Sequence, residues 1–405
     1  MVFRTLLLGV VCLCAGCSTS SEVTREQTPV TLFPTSMVDH LRDGFKAGNP
    51  RAVATVEALR LQADSALRAP LYYVTEKEIV PPSGDKRDYM SLSPYWWPNP
   101  DTADGLPYVR HDGKRNPEVY NFPERENTKY LGEQVRLLAL LYHLTGEACY
   151  AEKAAALVRA WFLDAERGMH PNLNFAQGIP GRATGRGAGI IDARRFSCAV
   201  AVIPLIRSAA CWTEEDEAAL RRWSEEFLVW LETSELGGAE RMAKNNHGLW
   251  YDAIRLMHLR FLGEEERMIQ LIDEDLLPRL DRQLAADGSL PKELERTLSL
   301  HYSTFALEAV AMAGTLADGV GGRVWHYRSE DGRSLEAAID YLLPYYLQPE
   351  RWPYQQIKPF DTMRGAQLLL VAGEALGRED WLQAARQIVE RADEQSLWIA
   401  FCLDR

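Results

Sequence analysis

From about Tyr130 onward, apolar residues recur at three- and four-residue spacing, and each run closes on Gly, Pro or a polar cluster. The spacing predicts helices over 36–66, 128–145, 149–167, 192–209, 214–233, 247–262, 266–285, 299–317, 333–348, 362–376 and 379–392. Connections such as Leu144-Thr145-Gly146-Glu147, Leu262-Gly263-Glu264-Glu265 and Leu376-Gly377-Arg378-Glu379 are too short for anything but antiparallel neighbours. Such hairpins stack as a solenoid or curl into a toroid. No motif returns at a fixed period, which disfavours the solenoid. The longer intervals 80–127, 168–191, 234–246 and 286–298 then read as the rim of a cleft at one end of an all-α, (α/α) toroid, an incomplete barrel of antiparallel helical hairpins in a single domain.

Composition supports one large core. Of 405 residues 46% are hydrophobic, with 11 Trp, 16 Tyr and 12 Phe, and no Gly/Ser-rich or Pro-rich linker divides the chain. The formal net charge of −12, with no basic stripe of interleaved aromatics, argues against nucleic acid as a partner. It does not argue against an acidic polysaccharide, which responds to a local groove of cations and amides.

The opening MVFRTLLLGVVCLCAGC has one Arg, an apolar run too short to span a bilayer, and Ala15-Gly16-Cys17. It resembles a bacterial lipobox, although Cys14 stands where Leu is usual. The expectation is a signal peptide over 1–16, lipidation at Cys17, a polar tether over 17–30 and a catalytic domain over 31–405. The protein would then be exported and face the periplasm or cell surface, touching membrane only through its anchor; a plain cleaved signal is the alternative. Cys149, Cys198, Cys211 and Cys402 lack metal-type spacing and are too few for a disulfide framework. A Cys198–Cys211 bridge stays open.

Four segments carry candidate chemistry. In Tyr89–Asp101, Trp96 and Trp97 lie between prolines outside any periodic run, where they either stack on sugar or pin the loop to the helices. Lys244-Asn245-Asn246-His247-Gly248-Leu249-Trp250 sits where loop becomes helix, so an amide caps the helix and an imidazole comes next. The positive helix end disfavours imidazolium, leaving a neutral ring able to accept a proton, unless the pair is only a cap and a packed ring. Between Asp287 and Phe305, Arg296 falls in the loop and His301 and Tyr302 in the first helical turn. There the helix end is expected to ease phenolate formation; the bland reading is a packed Tyr and an Arg paired with Glu293 or Glu295. Asn172–Arg182, with Gly185-Arg186-Gly187 just after it, offers amides and cations with few acids.

Taken together, Asn245-Asn246-His247 with Trp250, the later Arg296 and Tyr302, Ser91-Leu92-Ser93-Pro94-Tyr95-Trp96-Trp97-Pro98-Asn99-Pro100 and Asn172-Leu173-Asn174-Phe175-Ala176-Gln177 resemble the alginate lyase superfamily of helical-toroid polysaccharide lyases. The likeness runs from about Asp88 to Tyr354 and is nearer the broad alginate-lyase-domain group than the small periplasmic mannuronate lyases. It implies an Asn/His, Arg and Tyr site with no cofactor and no metal, acting on alginate or a related polyuronate. A C5 proton beside an anionic carboxylate is weakly acidic, so that carboxylate must be quenched before a base removes the proton. Arg296 and Asn246 are the candidates for quenching, with Asn174 or Gln177 in support, and with Asn245, Trp250, His301, Arg182 and Trp96 or Trp97 as further substrate contacts. Tyr302 is either base and acid in turn, or the acid while His247 is the base. The choice depends on whether proton and leaving group share a face of the sugar.

A glycoside hydrolase on the same toroid is the rival enzyme and needs two facing carboxylates. Asp101, Asp192, Glu293 and Glu295 are available. A non-catalytic glycan-binding surface lipoprotein is the rival of another class.

Overall fold

The computed structural model describes residues 34–320 and 323–391. The expectations for the signal, Cys17, the tether and Cys402 lie outside them. The described chain is a two-layered arc of helices. Glu124–Thr145, Ala193–Ala201, Asn246–Leu262, Ser299–Leu316 and Thr362–Leu376 pack in that order as an inner layer. Ala148–Val158, Glu214–Thr233, Glu265–Leu271, Leu335–Leu347 and Glu379–Arg391 form an outer layer against them. The arc does not close, and a cavity of about 390 Å³ within it is lined by all five inner helices, from Glu124–Thr145 to Thr362–Leu376.

Local chemistry explains the hairpins. Gly146, Gly263 and Gly377 stand at φ 74°, 75° and 64°, each ending a helix in the left-handed conformation that side chains resist. The run expected over 36–66 is two helices, Thr35–Lys46 and Pro50–Arg68. Asn49 caps the second by accepting from the backbone N–H groups of Arg51 and Ala52, and Pro50 supplies a first position that needs no donor. Gly48-Asn49-Pro50 is thus a stop and a start that apolar spacing alone passes over.

Asn246–Leu262 is the axle of the fold, buried on every side. Two of its buried polar members are held by neighbours: Arg279 donates to Asp252 at 2.6 Å, and His258 Nε2 lies 3.0 Å from Ser197 Oγ.

The expected loops hold short regular pieces. Met90–Leu92 runs parallel to Phe175–Gly178, Trp96–Trp97 pairs antiparallel with Val109–Arg110, and Glu235–Arg241 and Pro291–Leu294 are short helices. Cys198 and Cys211 are both free thiols, so the open question of a bridge is answered in the negative.

One close approach sets the spacing of the first two inner helices. A Cβ on Gly132 would stand 2.2 Å from the Arg195 carbonyl oxygen, so only glycine lets Glu124–Thr145 meet Ala193–Ala201 at this distance. Gly132→Ala is expected to cost about 1–3 kcal/mol by forcing these helices apart. Equilibrium denaturation checks it; a variant as stable as wild type would show that the contact yields freely.

Candidate active site

The rim segments and the starts of the five inner helices enclose a cavity of about 650 Å³. Eight arginines line it (Arg110, Arg115, Arg125, Arg186, Arg194, Arg195, Arg296 and Arg364) against two glutamates, Glu240 and Glu308. The lining is thus predominantly cationic in a protein whose formal total is −12, although Asp112, Glu126 and Asp192 pair with four of the arginines from behind. A field of this sign in a low-dielectric recess selects anions.

His247 enters from the first turn of Asn246–Leu262. Asn245 caps that helix, its side chain accepting from the His247 backbone N–H at 3.2 Å. The ring turns Nδ1 toward Glu240 Oε1 at 2.6 Å. A carboxylate only accepts, so Nδ1 carries a proton, and in the neutral ring the lone pair is then on Nε2. Asn246 is fully buried in the wall. Its backbone N–H and Nδ2 donate to the two oxygens of Glu293 at 2.5 and 2.9 Å, which fixes the start of the helix.

Tyr302 lies in the first turn of Ser299–Leu316, and its hydroxyl is 2.7 Å from that of Tyr95. The helix end alone predicts easier phenolate formation. The reverse holds: burial, and next the neighbouring Tyr95, push the phenol well above its ordinary value, overriding the pull of Arg296. At neutral pH this group is an acid with a proton to give. Arg296 lies flat on the Tyr302 ring, 3.7 Å from its centre. Its pairing partner is neither Glu293 nor Glu295 but Asp112, reached through Nε at 3.1 Å and Nη2 at 2.8 Å. Burial works against ionisation of Asp112, yet Arg296 and Thr297 hold its carboxyl well below the usual range.

Behind the reacting end stands Asp192, fully buried and accepting from Tyr89 Oη at 3.1 Å, Ser91 Oγ at 2.8 Å and Gln177 Nε2 at 3.1 Å. Burial alone would raise it, but Arg125 and Arg195 keep it ionised. Gln177, at φ 49°, is in turn held by Arg186, which donates to Oε1 at 2.8 Å. Burial, then Arg195 and Arg125, press the Arg194 guanidinium down to about 9, which still leaves it charged at neutral pH.

Among the expected substrate contacts, Asn245, Gln177, Trp96, Trp250 and His301 line the cavity with the four core candidates. Three do not. Asn174 faces outward and accepts from Trp230 Nε1, Trp97 pins the loop by donating to the Lys114 carbonyl, and Arg182 donates to the Tyr108 carbonyl beside the Trp96 ring. The acids that hydrolysis would need are elsewhere too: Asp192 and Glu293 are buried supports, while Asp101 and Glu295 are exposed. Sequence reasoning missed Tyr95, Glu240, Arg125, Arg194 and Arg195. Tyr95 and Glu240 lie within or beside the candidate segments, whereas the three arginines sit on helices whose periodicity does not reveal which face turns inward.

His301 contacts Arg364 at 2.6 Å, and burial with the charges of Arg364, Arg194 and Arg296 lowers its pKa to about 3. Burial alone takes His258 to about 3. Between these values and the unfolded value near 6.5 only the unfolded chain is protonated, so stability is lost as pH falls below about 6.5. The two imidazole signals are expected to stay in their neutral positions from pH 8 to pH 5 in NMR titrations; a titration of either in that window would contradict this assignment.

The alginate lyase family model matches residues 73–352. The structure of an alginate lyase from Bacteroides ovatus is similar at 33% identity and TM-score 0.86, covering 92% of this chain and 99% of that one. A variant of alginate lyase A1-III complexed with a tetrasaccharide is similar at 16% identity and TM-score 0.50, covering 80% of this chain and 86% of that one, a likeness of fold alone. No curated protein matches at comparable stringency. A match of this length, on a helical arc with this cavity at its rim, establishes that the chain belongs to the alginate lyase family of polysaccharide lyases.

Proposed function

We propose that the protein cleaves alginate or a closely related polyuronate by β-elimination in the arginine-lined cavity, with His247 as base and Tyr302 as acid. The observation that carries this reading is the meeting of an imidazole held by its Nδ1 edge and a protonated phenol in one cavity lined by eight arginines and two glutamates. Alginate is named first because the similar Bacteroides ovatus protein is an alginate lyase.

In this scheme the uronate carboxylate of the reacting sugar faces the guanidinium groups. Arg296 keeps Nη1 free of Asp112 for it, and Asn246 keeps the amide N–H that Glu293 does not use. With its charge offset, the carboxylate accepts electron density from C5 as the proton leaves. Nε2 of His247 takes that proton, and the Nδ1–H bond to Glu240 steadies the imidazolium that forms. Electrons from the C5–H bond become the C4–C5 double bond, and the C4–O4 bond breaks. Tyr302 Oη gives its proton to O4, and Arg296 against its ring offsets the charge of the phenolate left behind. Raising the phenol's pKa makes Tyr302 a poor starting base, which favours two groups over a single Tyr serving both steps. Trp96, beside the mouth, supplies an aromatic face for a neighbouring sugar.

Tyr302→Phe and His247→Gln are each expected to lower kcat on polyuronates about 10²–10⁴-fold while KM changes little. Formation of the ultraviolet-absorbing unsaturated end, monitored in time, is the readout. Near-normal rates in Tyr302→Phe would remove that residue from the chemistry. New reducing ends without the absorbance would mean hydrolysis.

A further inference from the structure

The unclosed arc encloses a second cavity, of about 390 Å³, which the elimination chemistry does not use. All five inner helices line it, the first through Lys129 and Arg136, the last through Leu368 and Val371, and those between through residues such as Cys198, Trp250 and Met312. Exposed Lys129, Glu133 and Gln367 mark its mouth. It is not independent of the reacting cavity: Arg194, Arg195, Trp250, Glu308 and Arg364 line both.

The charge of this second space is unbalanced. Five cations, Lys129, Arg136, Arg194, Arg195 and Arg364, face two acids, Glu133 and Glu308. Glu308 is already engaged by Arg364, through Nε at 2.8 Å and Nη2 at 2.5 Å. Among the described residues, Lys129, Arg136, Arg194 and Arg195 have no carboxylate within ion-pair distance; Arg194 and Arg195 spend a donor each on the carbonyls of Ile191 and Arg125. Asp192 offsets Arg194 and Arg195 only from a distance and is shared with Arg125, so an anion entering this space meets guanidinium charge that no direct ion pair has quenched. Arg194 in addition lies over the rings of Phe305 and Trp250, at 5.2 and 5.8 Å, so its plane is held in place at the junction. Trp250, Met312 and Val371 give the same space apolar surface suited to the C–H face of a pyranose.

We propose that this cavity is a second uronate-binding subsite, which takes an acidic sugar of the same polymer beyond the reacting one, with Arg194 at the junction and Arg136 and Lys129 on the far side. A chain bound in this way runs from the rim past Arg194 into the opening of the arc, and the unclosed toroid is then part of the substrate path. The inference rests on the polyuronate reading of the reacting cavity. Arg364 belongs to the same path and comes from a helix beyond the stretch matched by the family model, residues 73–352.

Arg136 and Lys129 do not line the reacting cavity, so their substitution separates the two sites. Arg136→Gln and Lys129→Gln, tested singly and together, are to be compared with wild type on long polyuronate and on the shortest oligouronate that wild type cleaves. The expected result is that KM for the polymer rises roughly tenfold in the double variant, with kcat and the KM for the short substrate unchanged. An unchanged KM for the polymer would overturn the subsite. So would an equal rise for both lengths, which would mean loss of general attraction. Thermal melting shows whether each variant folds. Wild-type protein that cleaves no polyuronate of any length would overturn the functional reading and this inference with it, an outcome distinct from a variant without effect.

Discussion

Like charges forced into one recess must be held there against their own repulsion, and this constraint organises the molecule. Two unit charges 4 Å apart interact by about 4 kcal/mol at the effective dielectric near a protein surface, so eight guanidinium groups around one cavity would disperse without fixed anions. The anions are placed behind the arginines and away from the reacting face. Asp192 stands behind Arg125 and Arg195, Asp112 grips Arg296, and Glu308 grips Arg364. Each acid also ties separate parts of the chain together. Asp192 joins the strands Met90–Leu92 and Phe175–Gly178, and Asp112 joins the rim loop to the segment before Ser299–Leu316. Neutralisation and positioning are therefore one set of contacts.

The same arrangement accounts for the division between acid and base. His247 and Tyr302 both stand at the heads of helices, yet their surroundings give them different tasks. A carboxylate, Glu240, fixes the imidazole by its Nδ1 edge, and a second phenol with a closely packed wall keeps Tyr302 protonated. For the tyrosine, desolvation outweighs both the helix end and the cation on its ring. An expectation drawn from the helix end alone has the wrong sign because it omits burial.

Much of this is legible in the residues. Helix order and the antiparallel hairpins come from apolar spacing and from glycines such as Gly146 and Gly263, since both depend on local conformation. Asn245, His247, Arg296 and Tyr302 stand out because they lie where loops enter helices. Partnerships between distant segments are not legible. Nothing in the spacing says that Asp112 meets Arg296 across 184 positions, or that Tyr95 rather than Trp97 turns inward. The split at Asn49-Pro50 has a readable signal in its cap and proline. Which faces of Glu124–Thr145 and Ala193–Ala201 carry the cavity arginines depends on an approach allowed by Gly132, a tertiary fact.

The central claim is that one hexuronate ring fits between the two proton-transfer groups with its carboxylate among the guanidiniums. A crystal structure of Tyr302→Phe soaked with an oligouronate tests it most directly. The predicted result is C5 of one sugar facing His247 Nε2, its O4 beside the ring at position 302, and its carboxylate on Arg296. A sugar chain bound with no ring in reach of both groups would contradict it.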